Sequence, residues 1–428
     1  MLIKELYQIF LKHPQVSTDT RKIIKDSIYF AIKGKNFDGN LFASSALENG
    51  AAFAVIDNEK YYIDNGKYIL VKDTLATLQQ LALNHRQNLN ILIIGITGTN
   101  GKTTTKELIN VVLSEKYNTL ATIGNLNNHI GVPLTILGIT KDTEIAIIEM
   151  GANHVGEIGE LCKISQPDYG IITNIGKAHL EGFGSFEGVI KAKNDLYIHI
   201  KDKKGKIFIN SNNELLMNLS KDIDKITYGT SDTDFCCGEI ISANPNVEIS
   251  YRYNDLDFNF KTNLVGSYNF ENIMAAICVG IYFNVDHHLL KKALETYVPT
   301  NNRSQVVKTE HNTLILDAYN ANPTSMEQAI SNFAKMDTNN KVLIIGDMLE
   351  LGSYSLDEHQ SILNLIEKDN FQNVILVGKD FKTVNKNFLS FTTSDEAREW
   401  LKNNPIINST ILIKGSRGIK LEKIIDAI

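Results

Sequence analysis

No apolar run in this sequence approaches the ~20 residues that a membrane-spanning helix needs. The opening stretch, MLIKELYQIF, is broken by Lys4 and Glu5 and so lacks a signal-peptide core. No membrane span and a cytoplasmic location are therefore expected. Cysteine is scarce: Cys162, Cys236, Cys237 and Cys278 show no zinc-ligand spacing, and in a reduced compartment they remain thiols that serve packing. Positive charge is not in excess either. With 43 Lys and Arg against 49 Asp and Glu, the net charge of −6 gives no electrostatic reason to expect nucleic acid or an acidic membrane as partner. No internal repeat or low-complexity tract is evident. No G-x-G-x-x-G opens a helix in the last third of the chain, which argues against a nicotinamide cofactor and hydride transfer.

What is present is a globular composition, 43% hydrophobic and 21% charged, over 428 residues. At ~150 residues per domain that length suggests about three domains. The chain is organised around Ile91 to Leu113, ILIIGITGTNGKTTTKELINVVL. Ile91 to Ile94 read as a buried parallel strand, followed by a glycine turn and a helix. The general phosphate-loop pattern wants glycine where Ile96 stands, so GTNGKTT (Gly98, Thr99, Asn100, Gly101, Lys102, Thr103, Thr104) is a variant cradle. Its glycines let successive N–H groups and the helix N-terminus face an anion. Lys102 offers a point charge for the β/γ-phosphates, and the Thr103 hydroxyl is placed to hold Mg²⁺.

Residues 1–83 mix short strands and helices, as in SIYFAIKG and GAAFAVID, into a small α/β unit. Within it, STDTR (Ser17 to Arg21) and KNFDGN (Lys35 to Asn40) read, on composition, as polar loops. From 84 to 297 strands and helices alternate around the cradle, favouring a mostly parallel sheet whose ligands gather at the carboxyl ends of its strands. EIAIIEM ends one such strand near Glu149, and YGIITN ends another at Asn174, with His179 just beyond. Glu149 can carry charge for a metal ion, and His179 can ligate a metal or hold a phosphate.

SFEGVIKAKNDLYIHI (Ser185 to Ile200) reads as a helix with Ser185 as N-cap. Lys193 falls on its apolar stripe of Val189, Leu196 and Ile200, where burial favours the neutral amine. NVEISYRYNDLDFNFKTNL alternates like a hairpin around Asn254 and Asp255. Helices are expected over 269–283 and 286–297, and a linker, TYVPTNNRSQ, begins near Pro299. Residues 298–428 then repeat strand and helix in the layout of a Rossmann-like domain.

Several of these segments together resemble the Mur ligases: GTNGKTT, EMGA (Glu149 to Ala152), TNIGKAH (Thr173 to His179), AKND (Ala192 to Asp195), DAYNANPTSM (Asp317 to Met326), GDMLELG (Gly346 to Gly352) with His359, and KGSRG (Lys414 to Gly418). The resemblance runs through the whole length. It is closest to the members that join D-Ala-D-Ala to UDP-N-acetylmuramoyl-tripeptide. D-N-P-R and D-G-A-H-N-P, which mark the enzyme adding the third residue and the folylpolyglutamate synthases, do not occur here.

The resemblance implies an α/β fold of three domains: a small N-terminal domain receiving the UDP end, a central P-loop-type ATPase domain with a mostly parallel sheet, and a Rossmann-like C-terminal domain binding the dipeptide. It implies an ATP- and Mg²⁺-dependent ligase in which ATP converts a carboxylate to an acyl phosphate that an amine then attacks, with peptidoglycan precursor as product. By the same resemblance Thr103, Glu149 and His179 sit at metal positions, and Lys193 matches a lysine that the family carbamylates to help hold a second Mg²⁺. Asn269 and Asn272 would lie near the adenine, and Arg303 and Asp317 would approach the phosphates and ribose.

Asn320, Asn322, Lys414 and Arg417 are candidates for the dipeptide pocket, by resemblance. Ser17, Thr18, Arg21, Asp38, Gly39 and Asn40 would receive the UDP end, with Asn127 and Asn128 on the substrate loop. A monomer is expected. One position departs from the family: Tyr268 stands in GSYNFEN where a histidine is common. A sister ligase adding another amino acid, and a P-loop switch that binds nucleotide without ligation, are the competing readings.

Overall fold

The structure, a computed structural model, describes residues 3–253, 256–300 and 302–428. Three sheets succeed one another along the chain. The first has four parallel strands in the order Val16–Ser17, Ile28–Phe30, Phe53–Ile56 and Tyr68–Leu70. Ile28, Tyr29 and Phe30 are buried on both faces of it, as parallel strands between helices require. STDTR and KNFDGN are more ordered than loops. Val16–Ser17 joins the sheet edge, Thr20–Lys22 forms a 3₁₀ turn, and Phe37–Asp38 pairs with Lys33–Gly34 as a short hairpin.

A division at residue 83 would cut the helix Thr74–Gln87, which runs unbroken across it. The reason lies in its partners, because this helix packs on the N-terminal helix Ile3–Lys12 and also on Gly131–Leu137 and Glu157–Ser165 of the central domain. Arg86 fastens it there. Buried, its guanidinium donates to the carbonyls of Ser165 and Gln166, each at 3.1 Å, and to Asp168 at 2.9 Å.

The central sheet has nine strands. From Thr119–Ala121 the order runs through Ile145–Glu149, Leu92–Thr97, Tyr169–Ile172, Lys206–Asn210 and Asp224–Gly229 to Cys236–Ala243, all parallel. Asn246–Tyr253 and Leu256–Val265 extend it antiparallel. The hairpin pairs Tyr253 with Leu256, and its expected turn residues, Asn254 and Asp255, lie outside the described residues.

The strand before the cradle runs three residues beyond Ile94, to Thr97. Gly95 belongs to it rather than to the turn: a Cβ there would come 2.8 Å from Met150 Cε, so the glycine serves close packing. The cradle helix Lys102–Leu113 packs on Asn269–Tyr282, of whose 14 residues 12 are buried, a helix enclosed on all sides. The next helix, His287–Thr296, is capped by Asp286. Asn301, within the linker, is outside the described residues.

The third sheet orders Gln305–Lys308, Asn312–Asp317, Ser409–Lys414, Lys341–Gly346, Asn373–Val377 and Leu389–Phe391, with the first pair antiparallel and the rest parallel. The four longer parallel strands are the apolar runs seen in the sequence; the short edge strands at 305 and 389 carried no such signal. No helix among the described residues is long and apolar enough to cross a membrane. All four cysteines are free thiols, and Cys162, Cys236 and Cys278 are buried.

Candidate active site at the strand ends

Register places the chemistry at one edge of the central sheet. Ile96 lies opposite Glu149 and Thr97 opposite Ile172, so the cradle, the Glu149 strand and the segment leading to His179 leave the sheet at the same end. Gly98 (φ +145°) and Gly101 (φ +79°) have no room for a side chain: a Cβ would fall 2.0 Å from Thr173 Oγ1 in the first case and 2.4 Å from Asn272 Oδ1 in the second. Gly101 is the N-cap of the cradle helix, which leaves the helix N-terminus open toward the cleft.

Lys102 folds back over the loop, its Nζ donating to the carbonyls of Gly98 at 2.8 Å and Thr99 at 2.9 Å. Burial pushes its amine down to about 8, with Glu149 opposing and Arg303 adding to the effect. Thr103 Oγ1 donates to Glu149 Oε2 at 2.8 Å, and Asn127 Nδ2 donates to Oε1 at 2.7 Å. The Glu149 carboxylate is thus buried between two neutral donors. Asn128 instead serves the backbone, accepting from the N–H groups of Ile130 and Gly131.

His179 adopts a left-handed backbone (φ 50°) and turns its Nδ1 to Glu350, a residue of the C-terminal domain. That contact holds the Glu350 carboxyl below its ordinary range. Ser185 caps the helix Phe186–Asp202 by accepting from the Gly188 N–H, and Val189, Leu196 and Ile200 are buried along the same stripe as Lys193. The Lys193 ammonium position lies 5.5 Å from the Phe183 ring centroid and makes no hydrogen bond or ion pair among the described residues. Burial pushes its amine down to about 7; the Lys102 charge acts in the same direction and Glu157 against it.

The C-terminal domain closes the cleft from the other side. Asp317 and Lys414 end adjacent strands in register and meet at 2.5 Å. Arg303 lies over the Tyr319 ring, its Cζ 3.7 Å from the centroid, with a buried Nε that has no hydrogen-bond partner among the described residues. Asn269 Nδ2 donates to Val265 O at 2.8 Å and to Ser304 Oγ at 3.2 Å, while Asn272 accepts from Thr105 Oγ1 at 3.0 Å beside the cradle glycine. Tyr268, in place of the common histidine, pairs its hydroxyl with Ser304 Oγ at 3.1 Å, and burial pushes its phenol far up.

These groups share one cleft of about 930 Å³. It is lined by Thr99, Asn100, Gly101, Lys102, Thr103 and Thr104 of the cradle, by Asn127, Asn128, Glu149, His179, Asn269 and Asn272, and by Arg303, Asp317, Asn320, Asn322 and Lys414. Gly98 and Lys193 are buried and do not line it, and Arg417, also outside the lining, is exposed with its guanidinium 5.6 Å from the Tyr319 centroid.

The N-terminal candidates stand apart from the cleft. Arg21 forks onto Asp19 (2.9 and 2.8 Å), and its guanidinium holds the Asp19 carboxyl down to about 2. Ser17 Oγ donates to Asp19 O, and Thr18 lies half-buried beside it. Asn40 cannot present its amide to a ligand: it is buried, bonded to Asp38 at 2.7 Å and exchanging two hydrogen bonds with Asp57. A Cβ on Gly39 would fall 2.7 Å from Ala31 C, so that glycine serves the packing.

Tyr319, Ser304 and Glu350 were not anticipated as parts of the site. Tyr319 lay in plain view in DAYNANP, but the partners of all three come from other segments. A three-residue histidine-carboxylate cluster, Asp347, His359 and Asp380, is committed to the fold. His359 Nε2 accepts from the Met348 N–H, its Nδ1 meets Ser355 O, and Asp347 accepts from the N–H groups of Asp380 and Phe381.

Comparison with known proteins agrees with this arrangement along the whole chain. Residues 14–86 match the model of the Mur ligase family catalytic domain, 96–280 the Mur ligase middle domain, and 302–417 the Mur ligase glutamate ligase domain. A UDP-N-acetylmuramoyl-tripeptide–D-alanyl-D-alanine ligase of Bacillus subtilis is 36% identical over 99% of this chain and 96% of its own. One of Escherichia coli is 31% identical over 96% and 93%. Among solved structures, MurF from Acinetobacter baumannii superposes with a TM-score of 0.86 at 29% identity, covering 96% of this chain and 92% of that one. MurF ligase from Thermotoga maritima in complex with ADP gives 0.85 at 25% identity, covering 97% of each. With three models of one family matched in order and relatives alike from end to end, the chain belongs to the Mur ligase family.

Proposed function

We propose that this protein joins D-Ala-D-Ala to UDP-N-acetylmuramoyl-tripeptide at the expense of ATP, giving the pentapeptide precursor of peptidoglycan, ADP and phosphate in the cytoplasm. The observation that carries the reading is the single cleft in which a phosphate cradle and a buried carboxylate face Arg303, Asp317 and Lys414 of another domain. The Bacillus subtilis relative, similar over nearly its full length, carries that ligase name.

An amine cannot usefully displace oxide from a carboxylate, so the tripeptide carboxylate first takes the γ-phosphoryl group of ATP. The amine of D-Ala-D-Ala then attacks the acyl phosphate, and phosphate leaves from the tetrahedral intermediate. Bringing a triphosphate against a carboxylate collects negative charge, which Lys102 and Arg303 offset. The cradle N–H groups hold the phosphates, Asn269 and Asn272 flank the adenine, and Asp317 meets the ribose. Asn320, Lys414 and Arg417 orient the dipeptide; Ser17, Thr18, Arg21 and Asp38 receive the UDP end. Closure of the C-terminal domain over the cleft keeps water from the acyl phosphate.

A buried carboxylate beside a hydroxyl, with neutral donors only, suits a hard divalent ion. Thr103, Glu149 and His179 would hold Mg²⁺, which supplies positive charge against the phosphates. Lys193, with an amine that burial keeps near neutrality, is suited to carbamylation, and the carbamate would help hold a second Mg²⁺.

The test is an amine screen with Mg-ATP and both the lysine and diaminopimelate forms of the tripeptide, products identified by mass. Addition of D-Ala-D-Ala supports the reading. Addition of a single amino acid or glutamate instead would make this a sister ligase, and nucleotide binding with no product from any amine would leave a switch.

A further inference from the structure

The cradle is held by its own domain at the backbone and by another domain at a side chain. The Asn100 N–H donates to Asn174 Oδ1 at 3.0 Å, and the Asn100 carbonyl accepts from Thr173 Oγ1 at 2.6 Å and Asn174 Nδ2 at 3.1 Å. Its carboxamide faces that of Asn322: Asn322 Nδ2 donates to Asn100 Oδ1 at 2.8 Å, and Asn100 Nδ2 approaches Asn322 Oδ1 at 3.4 Å. Among the described residues these are the only hydrogen bonds between the C-terminal domain and loop 98–104.

Asn322 is rigidly mounted. Its Oδ1 caps the helix Pro323–Lys335 by accepting from the Ser325 N–H at 2.9 Å, and Ser325 Oγ closes the capping box. The preceding carbonyl, of Ala321, accepts from Ser416 Oγ at 3.2 Å, and Ser416 in turn accepts from the Leu349 N–H at 2.9 Å. Three strand-end loops of the C-terminal domain are thereby tied to the residue that touches the cradle. With both its polar atoms so engaged, Asn322 has little left to offer a dipeptide.

We infer that Asn322 is a positioning residue: through the Asn100 carboxamide it fixes the nucleotide loop in its binding shape when the C-terminal domain docks. The inference rests on the reading of the cleft as an ATP site. It makes nucleotide affinity depend on docking of a domain that binds another substrate, and by linkage docking depends on nucleotide to the same degree.

Asn322→Ser keeps an oxygen for the helix cap and loses the amide. It is expected to raise the ATP KM about tenfold, the scale of losing neutral hydrogen bonds, with the thermal midpoint and the tripeptide KM unchanged. Asn100→Ala, in the other domain, is expected to do the same, and the double variant to be no worse than the worse single. Losses that multiply in the double variant, or an ATP KM at the wild-type value in either single, would overturn the inference. Titration of Mg-ADP into the same four proteins reads the coupling without turnover, so it decides the point even if no pentapeptide is ever formed.

Discussion

Thr103 and Glu149 are joined by a 2.8 Å hydrogen bond that links the first turn of the cradle helix to the end of a neighbouring parallel strand. The bond sets hydroxyl and carboxylate side by side in the wall of the cleft, next to the cradle. Glu149→Asp withdraws the carboxylate by one methylene from both Thr103 and Asn127. Turnover measured by phosphate release is expected to fall by about 10² or more, with the fold retained by circular dichroism. Turnover within about threefold of wild type would contradict the role.

Lys193 gives a prediction with a definite sign. Burial pushes its amine down to about 7 in the folded chain, from 10.5 for a solvated lysine, so between those values the unfolded chain binds the extra proton and stability rises with pH. Below about 7 the full cost is present. In metal-free buffer depleted of CO₂, Lys193→Met is expected to melt higher than wild type at pH 6, with the gap closing toward pH 10. A gap independent of pH would show that the amine is not depressed. In the loaded enzyme Lys193→Ala is expected to lose activity and to regain part of it with short carboxylic acids; full activity without rescue would remove the carbamate role.

Arg303 sits over the Tyr319 ring with a buried Nε that has no hydrogen-bond partner among the described residues. Arg303→Ala is expected to leave nucleotide binding measurable and to lower turnover by about 10². Arg303→Lys should recover little, since a point charge does not reproduce the guanidinium's fork of donors or its contact with the ring. Near-normal turnover in the alanine variant would remove Arg303 from the closed site.

Arg86 carries a stability prediction. Losing it leaves the Ser165 carbonyl without its Arg86 donor, leaves the Gln166 carbonyl and Asp168 to Lys203, and so weakens the pairing of Asp168. Arg86→Ala is expected to cost about 2 kcal/mol in denaturant unfolding, the scale of removing a buried, charge-assisted donor from a carbonyl and a half-buried carboxylate. A loss below about 1 kcal/mol would mean that the helix Thr74–Gln87 is held by its apolar contacts alone.

What was legible in the sequence was local. Glycines at positive φ, the Ser185 cap and the stripe holding Lys193 follow from spacing along one segment, and the structure has each of them. The extent of the cradle strand was not legible, because a glycine after Ile94 interrupts the apolar run, and only Met150 packed against Gly95 shows why the strand continues. Nor was the bridging helix Thr74–Gln87, whose dual allegiance depends on partners at 131–137 and 157–165. The pairs across the domain boundary, Asn100 with Asn322, His179 with Glu350 and Tyr268 with Ser304, join residues far apart in the chain, and no spacing rule connects them.

The most direct test of the central claim is phosphate release from Mg-ATP with UDP-N-acetylmuramoyl-tripeptide, with and without D-Ala-D-Ala. Release that requires both substrates, in step with pentapeptide formation, is the predicted result. Release that ignores the dipeptide, or no release with either tripeptide form, would contradict the account.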